Sequence, residues 1–245
     1  MIPKIIHYCW MSRDPFPANI QKCIDSWRTY LPDYELRLWN LDSFGDKCPI
    51  WVKEAFDNKK YAFAADYVRA YALYHDGGIY LDSDVEVVKS FNSFLDLPYI
   101  VGKETFGDAI EAACMGAEPN HPFFHALLKY YDDRHFVKSD GTFDQFVMPL
   151  IIGKVMTPLF KRIDIQSKAD FVYLKDVICV FPPEYFSPKN VKNKRIIKTE
   201  NTVAIHHFEG SWIPWHKRWV HPVQKLLGPK ITDTIQTVKA YIFRR

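Results

Sequence analysis

An α/β fold built on a mostly parallel sheet is what this sequence predicts, and three observations lead to it. Short apolar runs of strand length, such as IIHY at residues 5–8, ELRLW at 35–39 and IYL at 79–81, alternate with longer segments of helical character. That alternation places helices on the faces of a mostly parallel sheet. No Gly, Ser or Pro-rich linker divides the 245 residues, and 48% of them are apolar with aromatics at 16%, enough for one sizeable core.

In chain order, Ile5, Ile6 and Tyr8 predict a buried first strand, followed by a helix around residues 20–30, the turn LPDY and a strand at 35–39. An amphipathic piece at 50–56 precedes a helix over 62–75, where good helix formers run up to Gly77 and Gly78. That glycine pair supplies a left-handed stop and turns the chain into the strand at 79–81. Residues 85–88 read as a continuation of this strand, with further strands at 99–102 and 112–117. Helices follow at 121–131, with Pro122 near its start, and at 143–152, interrupted or begun anew near Pro149. Residues 172–185 read as strands and a turn, and 203–205 as a last strand. No repeat of roughly 20 to 50 residues is visible. The expected organisation is a catalytic domain over 1–221, with residues 222–245 as a basic, amphipathic helical segment of the same domain. In that segment Val223, Leu227, Ile231, Ile235, Val238 and Ile242 recur every three or four residues. Such a helix packs on its own domain or rests on an anionic bilayer.

The net charge of +3, without a dense basic stripe and interleaved aromatics before the C-terminus, argues against a nucleic-acid binder. Cys9, Cys23, Cys48, Cys114 and Cys179 are odd in number and lack CxxC spacing, which predicts buried thiols in a reducing compartment and no zinc site. The start reads directly as strand, with no secretory signal pattern, and no apolar run has the length of a bilayer span. The expected location is cytoplasmic, with peripheral contact at the inner face of the plasma membrane through the last segment.

The chemistry concentrates in YAFAADYVRAYALYHDGGIYLDSDVE, residues 61–86. Asp82 and Asp84 flank Ser83, and in an extended segment they share a face and converge on one hard divalent cation. Such a cation, held by one or two carboxylates and by substrate phosphates, is a catalytic arrangement. Asp66 and Arg69 stand three apart on one helical face, suited either to a plain ion pair or to gripping a ribose hydroxyl and a phosphate.

Together these residues resemble glycosyltransferase family 32, the DXD-containing sugar transferases of capsule, O-antigen and initiating mannosyl transfer. They are also distantly similar to the large clostridial glucosylating toxins. The helical aspartate is usually preceded there by serine, where this chain has Ala65. The opening IPKIIHYCW and the later HHFEGSW extend the resemblance. It implies a GT-A type, Rossmann-like fold and a retaining transfer of a hexose from a nucleotide diphosphate sugar, in bacterial surface polysaccharide synthesis. UDP-hexose is the favoured donor, with GDP-mannose the other, and the acceptor is a glycan or lipid-linked glycan.

The resemblance also implies roles for single residues. Asp82, Asp84 and His207 bind Mn²⁺ or Mg²⁺. Arg69 is catalytic with the two aspartates and, like Ser211 and Trp212, donates to the diphosphate. His7, Trp10, Asp66 and Ser83 bind the donor, His7 and Trp10 by their place at the carboxyl end of the first strand. Glu111, Asp144 and Gln145 are weaker candidates for touching sugar or acceptor. A metal-dependent phosphohydrolase and a non-catalytic nucleotide- or glycan-binding module remain the competing readings.

Overall fold

The computed structural model describes residues 1–210 apart from Arg13, residues 45–47 and Phe106, and the described chain up to Glu209 forms one unit. The boundary expected at 221 and the segment 222–245 lie outside the described residues.

The chain opens on β1 (Ile5–Cys9), α1 (Ala18–Tyr30), β2 (Glu35–Trp39), α2 (Ile50–Asp57) and α3 (Tyr61–His75). Then come β3 (Gly78–Leu81), β4 (Val85–Val87), β5 (Tyr99–Lys103), β6 (Ile110–Ala117), α4 (Pro122–Lys129) and α5 (Met148–Leu159). The described part closes with β7 (Lys161–Asp164), β8 (Val177–Val180), a single turn α6 (Pro183–Phe186) and β9 (Ala204–His206). The central sheet has the order β2-β1-β3-β6-β5. β1 is parallel to β2 and β3, whereas β6 is antiparallel to β3 and β5. Four strands therefore share one direction and β6 alone runs against them, so the expected mostly parallel α/β sheet is present.

Why β3 becomes the centre follows from its composition. All four of its residues are buried, as a strand covered on both faces requires. Ile79 and Leu81 pack into one core with Ile6, Ile24 and Trp27, while Tyr80 enters the other with Val68, Leu73 and Phe123. The alternation of side chains along β3 thus feeds two cores, one against α1 and one against α2–α5. Gly78 is required at its first position. Its φ is +95°, and a Cβ there would lie 2.7 Å from the Ile5 carbonyl oxygen of β1.

Several elements differ from the expectation. β4 does not continue β3; it leaves the sheet after a turn and pairs antiparallel with β9, Val85 opposite His206 and Val87 opposite Ala204. Its position is fixed by α1, since Trp27 Nε1 donates to the Val85 carbonyl (2.7 Å) and the Val87 amide to Ser26 Oγ (2.9 Å). α5 begins at Met148, because Pro149 is tolerated only in the first turn. β7 and β8 form a parallel pair that abuts β5 through Phe181, whose amide bonds the Val101 carbonyl at 2.8 Å. Cys9, Cys23, Cys114 and Cys179 are buried and Cys48 half-buried, all as free thiols.

Candidate metal and nucleotide-sugar site

The two aspartates converge by a different route from strand alternation. β3 ends at Leu81, and Asp82–Ser83–Asp84 form a tight turn closed by the Val85 amide on the Asp82 carbonyl (2.9 Å). β6 holds the turn from below, since the Ala113 carbonyl accepts from the Asp82 amide at 2.8 Å. The loop after β9 holds it from above, with the Glu209 amide donating to Asp84 Oδ2 (2.9 Å). Ser83 is half-buried between the two carboxylates.

β9 brings a histidine to this turn, and it is His206, not His207. Asp82, Asp84 and His206 each offer one ligand atom, all within 4.8 Å of one another. His206 Nε2 lies 3.6 Å from Asp84 Oδ1, while its Nδ1–H donates to both oxygens of Glu111, at 3.1 and 3.2 Å. His207 is the next residue along an extended chain and so faces the other way. Both of its ring nitrogens are taken: Nε2 bonds Glu86 at 2.9 Å, and Lys189 Nζ lies 3.5 Å from Nδ1.

The charges explain this arrangement. Burial opposes a positive His206, but the Glu111 and Asp84 carboxylates override it and raise its pKa to about 9. Burial in turn pushes Glu111 up, and the His206 imidazolium with its hydrogen bonds more than offsets this, leaving Glu111 below its usual range. Burial raises Asp84, with His206 pulling the other way. Glu104, after β5, is pushed to about 7 by burial and by Glu111. Neither Glu104 nor the role of His206 was legible beforehand.

Arg69 is nearly fully buried and turned inward. Its Nη1 donates to Asp66 (2.9 Å) and its Nη2 to Asp82 Oδ1 (2.8 Å), with the guanidinium 4.7 Å from the Tyr80 ring centroid. It therefore anchors the Asp82 carboxylate and does not reach outward as a phosphate donor. Asp66 lies beneath it, raised to about 7 by burial against the pull of Arg69. Asp66 is thus the buttress of the arginine, with little surface for a ribose.

His7 does not serve the donor either. It is fully buried in the sheet, its Nδ1 accepting from Trp39 Nε1 (3.0 Å) and its Nε2–H donating to the Gly77 carbonyl (2.7 Å). An imidazole enclosed among neutral partners loses its proton readily, and burial lowers its pKa to about 4. Trp10 is half-buried at the carboxyl end of β1, edge-on to Phe16, with its Nε1 donating to the Asp14 carbonyl at 2.9 Å. Asp144 pairs with Arg134 at 3.8 Å and Gln145 is exposed. Glu111, expected to touch substrate, is instead 1% exposed and committed to His206. Ser211 and Trp212 lie outside the described residues.

A cavity of about 250 Å³ opens beside Asp84, walled by Asn19, Lys22, Cys23 and Ser26 of α1 and by Glu86, His207 and Glu209. Pockets for drug-sized ligands run from roughly 300 Å³ upward, so this one is small by that measure.

Residues 17–100, which contain this turn, match the family described as "Glycosyltransferase sugar-binding region containing DXD motif". The match spans about a third of the chain and includes the helix α3 and the Asp82–Asp84 turn. It is 34% identical over 148 residues to mannosyl phosphorylinositol ceramide synthase SUR1 of Saccharomyces cerevisiae, covering 56% of this chain and 37% of that protein. It is 33% identical over 139 residues to inositol phosphoceramide mannosyltransferase 2 of Schizosaccharomyces pombe, covering 53% and 38%. The chain thus spans less than two-fifths of the length of these relatives. Among solved structures, the PaToxG glycosyltransferase aligns with a TM-score of 0.48 at 21% identity, covering 64% of this chain and 69% of that one. The galactosyltransferase LgtC aligns with 0.46 at 12% identity, covering 89% and 92%.

Proposed function

We propose that the chain transfers a hexose from a nucleotide diphosphate sugar to an acceptor hydroxyl, with retention of configuration and with Mn²⁺ or Mg²⁺ at Asp82, Asp84 and His206. The observation that carries this reading is the convergence of those three side chains on one turn within the DXD segment. Two carboxylates and one imidazole are a donor set better suited to Mn²⁺ than to the harder, oxygen-preferring Mg²⁺, with positions left for water and phosphate oxygens. Asp84 Oδ1 and His206 Nε2 face one another across the space such an ion would take. When bound, the cation supplies Lewis acidity to the leaving phosphate oxygen.

The chain's own residues supply position. Arg69 fixes Asp82, the Glu209 amide fixes Asp84, and Glu111 fixes the ring of His206 with Nε2 toward the aspartates. Ser211 and Trp212, by the resemblance, add donors to the diphosphate. The departing phosphate takes the acceptor's proton on the same face of the sugar. The named relatives act in mannosyl transfer to inositol phosphoceramide, which moves mannose, with GDP-mannose as donor, ahead of UDP-hexose. It also moves a lipid-borne acceptor at a membrane surface ahead of bacterial polysaccharide.

Incubation with Mn²⁺ and a panel of GDP-, UDP- and CMP-sugars, read as released nucleotide, tests the proposal. Release from GDP-mannose above the other donors supports it. Turnover of simple phosphate monoesters alone, or binding of nucleotide sugar without turnover, overturns it.

A further inference from the structure

One ordered surface feature that the site does not use is the hairpin at residues 188–198, PKNVKNKRIIK. It is built, not loose. The Asn190 amide bonds the Arg195 carbonyl (2.8 Å), the Lys194 amide the Asn190 carbonyl (2.9 Å) and the Ile197 amide the Pro188 carbonyl (3.2 Å). Asn190 Oδ1 caps the turn by accepting from the amides of Lys192 and Asn193, at 2.9 and 3.1 Å.

On this frame Ile196, opposite Lys189 in an antiparallel bridge, is 37% exposed, and Ile197, on the other face, is 58% exposed. Lys194, Arg195 and Lys198 stand exposed around them, and the eleven residues contain no acid. The charge of the loop is of one sign, and a surface for single-stranded nucleic acid would carry stacking aromatics, which are missing from 188–198. Cations flanking an exposed aliphatic side chain are complementary to an anionic headgroup layer over hydrocarbon.

We propose that this hairpin docks on an anionic bilayer, with Ile197 entering the boundary between headgroups and acyl chains. Its base adjoins the metal-binding strand end: Lys189 Nζ donates to the His207 carbonyl at 2.6 Å, one residue from His206. Docking therefore sets the rim of the site at the lipid surface. That consequence, though not the docking, rests on the function proposed above.

The test is sedimentation of the full chain with phosphatidylcholine vesicles, with and without phosphatidylserine, alongside GDP-mannose hydrolysis in solution. Each cation near an anionic surface is worth roughly fivefold in partitioning, so Lys194→Gln with Arg195→Gln is expected to weaken binding to the anionic vesicles roughly 25-fold. Ile197→Ser is expected to abolish the binding that survives high salt. Hydrolysis in solution stays at the parent level in both variants, which also shows that they fold. Equal partitioning of parent and variants overturns the proposal, as does loss of binding only on neutralising Lys239, Arg244 and Arg245. Capture of single-stranded RNA in place of vesicles overturns it too. Vesicle binding without any hydrolysis sinks the function and leaves the docking surface standing.

Discussion

His7 on β1 and His206 on β9 are both enclosed histidines near the central sheet, yet the chain drives them in opposite directions. His7, between a Trp39 indole and the Gly77 carbonyl, falls to about 4; His206, between Glu111 and Asp84, rises to about 9. Burial disfavours the charged ring at both places, so the partners decide the difference. Neutral dipoles can align the ring of His7 but cannot repay its charge. Two carboxylates can repay that of His206. The first is a structural crosslink between β1, β2 and the α3–β3 turn, and the second is an imidazolium whose Nε2 proton a metal ion would have to displace.

The most drastic way to break the comparison is to remove the carboxylate opposite His206. Asp84→Asn leaves the turn and its Glu209 contact nearly isosteric but takes a charged ligand from the site. A Lewis-acid contribution of several kcal/mol corresponds to about 10²- to 10³-fold in turnover. Released nucleotide and Mn²⁺ affinity by calorimetry are expected to fall together. Unchanged Mn²⁺ affinity in Asp84→Asn would place the cation elsewhere.

Acid sharpens the comparison from the His7 side. Above pH 6.5 the imidazole is neutral in both folded and unfolded chains. As pH falls below 6.5 the unfolded chain takes up a proton that the folded chain refuses until about pH 4, so stability is lost across that window. The loss is about 3 kcal/mol when the window has been crossed. His121, also lowered to about 4 by burial, adds to it. Asp66 and Glu104, raised to about 7, shift overall stability the other way over the same range, so the ring resonances of His7, followed from pH 7 to pH 4, are what read its share. A His7 ring that titrates near 6.5 in the folded protein contradicts the assignment.

How much of this could be read from sequence depends on whether local pattern or partner decides. The runs at 5–8, 35–39 and 79–81 became β1, β2 and β3 because an apolar segment between helical signals has few alternatives. Asp82 and Asp84 were legible as a pair, although a turn and not an extended strand unites them. Lys161–Asp164 gave no warning of β7, since three of the four residues in KRID are charged and the strand is set by its pairing with β8. The doublet His206–His207 could not be ordered locally either. Which ring faces the aspartates follows from the register Val85 opposite His206, a long-range fact. Arg69 and His7 were found as residues but given outward roles, because burial of a polar side chain depends on what closes over it.

Glu111→Gln tests whether the carboxylate partner is what separates His206 from His7. The amide keeps the shape and can still accept from Nδ1–H, but it no longer repays a charge. Loss of an outer carboxylate behind a ligating histidine typically costs 10- to 100-fold in metal affinity. The expected outcome is a fall of about that size in Mn²⁺ affinity, with the far-ultraviolet dichroism unchanged. An affinity equal to that of the parent chain would reduce Glu111 to a filler of the core.

The smallest effect is expected at the neighbouring ring. His207→Ala removes the contact with Glu86 and leaves Lys189 without its Nδ1 neighbour, but it takes nothing from the turn that holds Asp84, because the His207 amide bonds the Asp84 carbonyl through backbone alone (3.1 Å). Mn²⁺ affinity should change by less than about tenfold, below the cost of losing even an outer partner of a ligand. His206→Ala, by contrast, deletes a ligand atom and should weaken Mn²⁺ binding well beyond that. A larger loss in His207→Ala than in His206→Ala would mean that the strand end rotates on binding the ion and exchanges the two rings. In that case the register of β9 would be a property of the metal-free chain only.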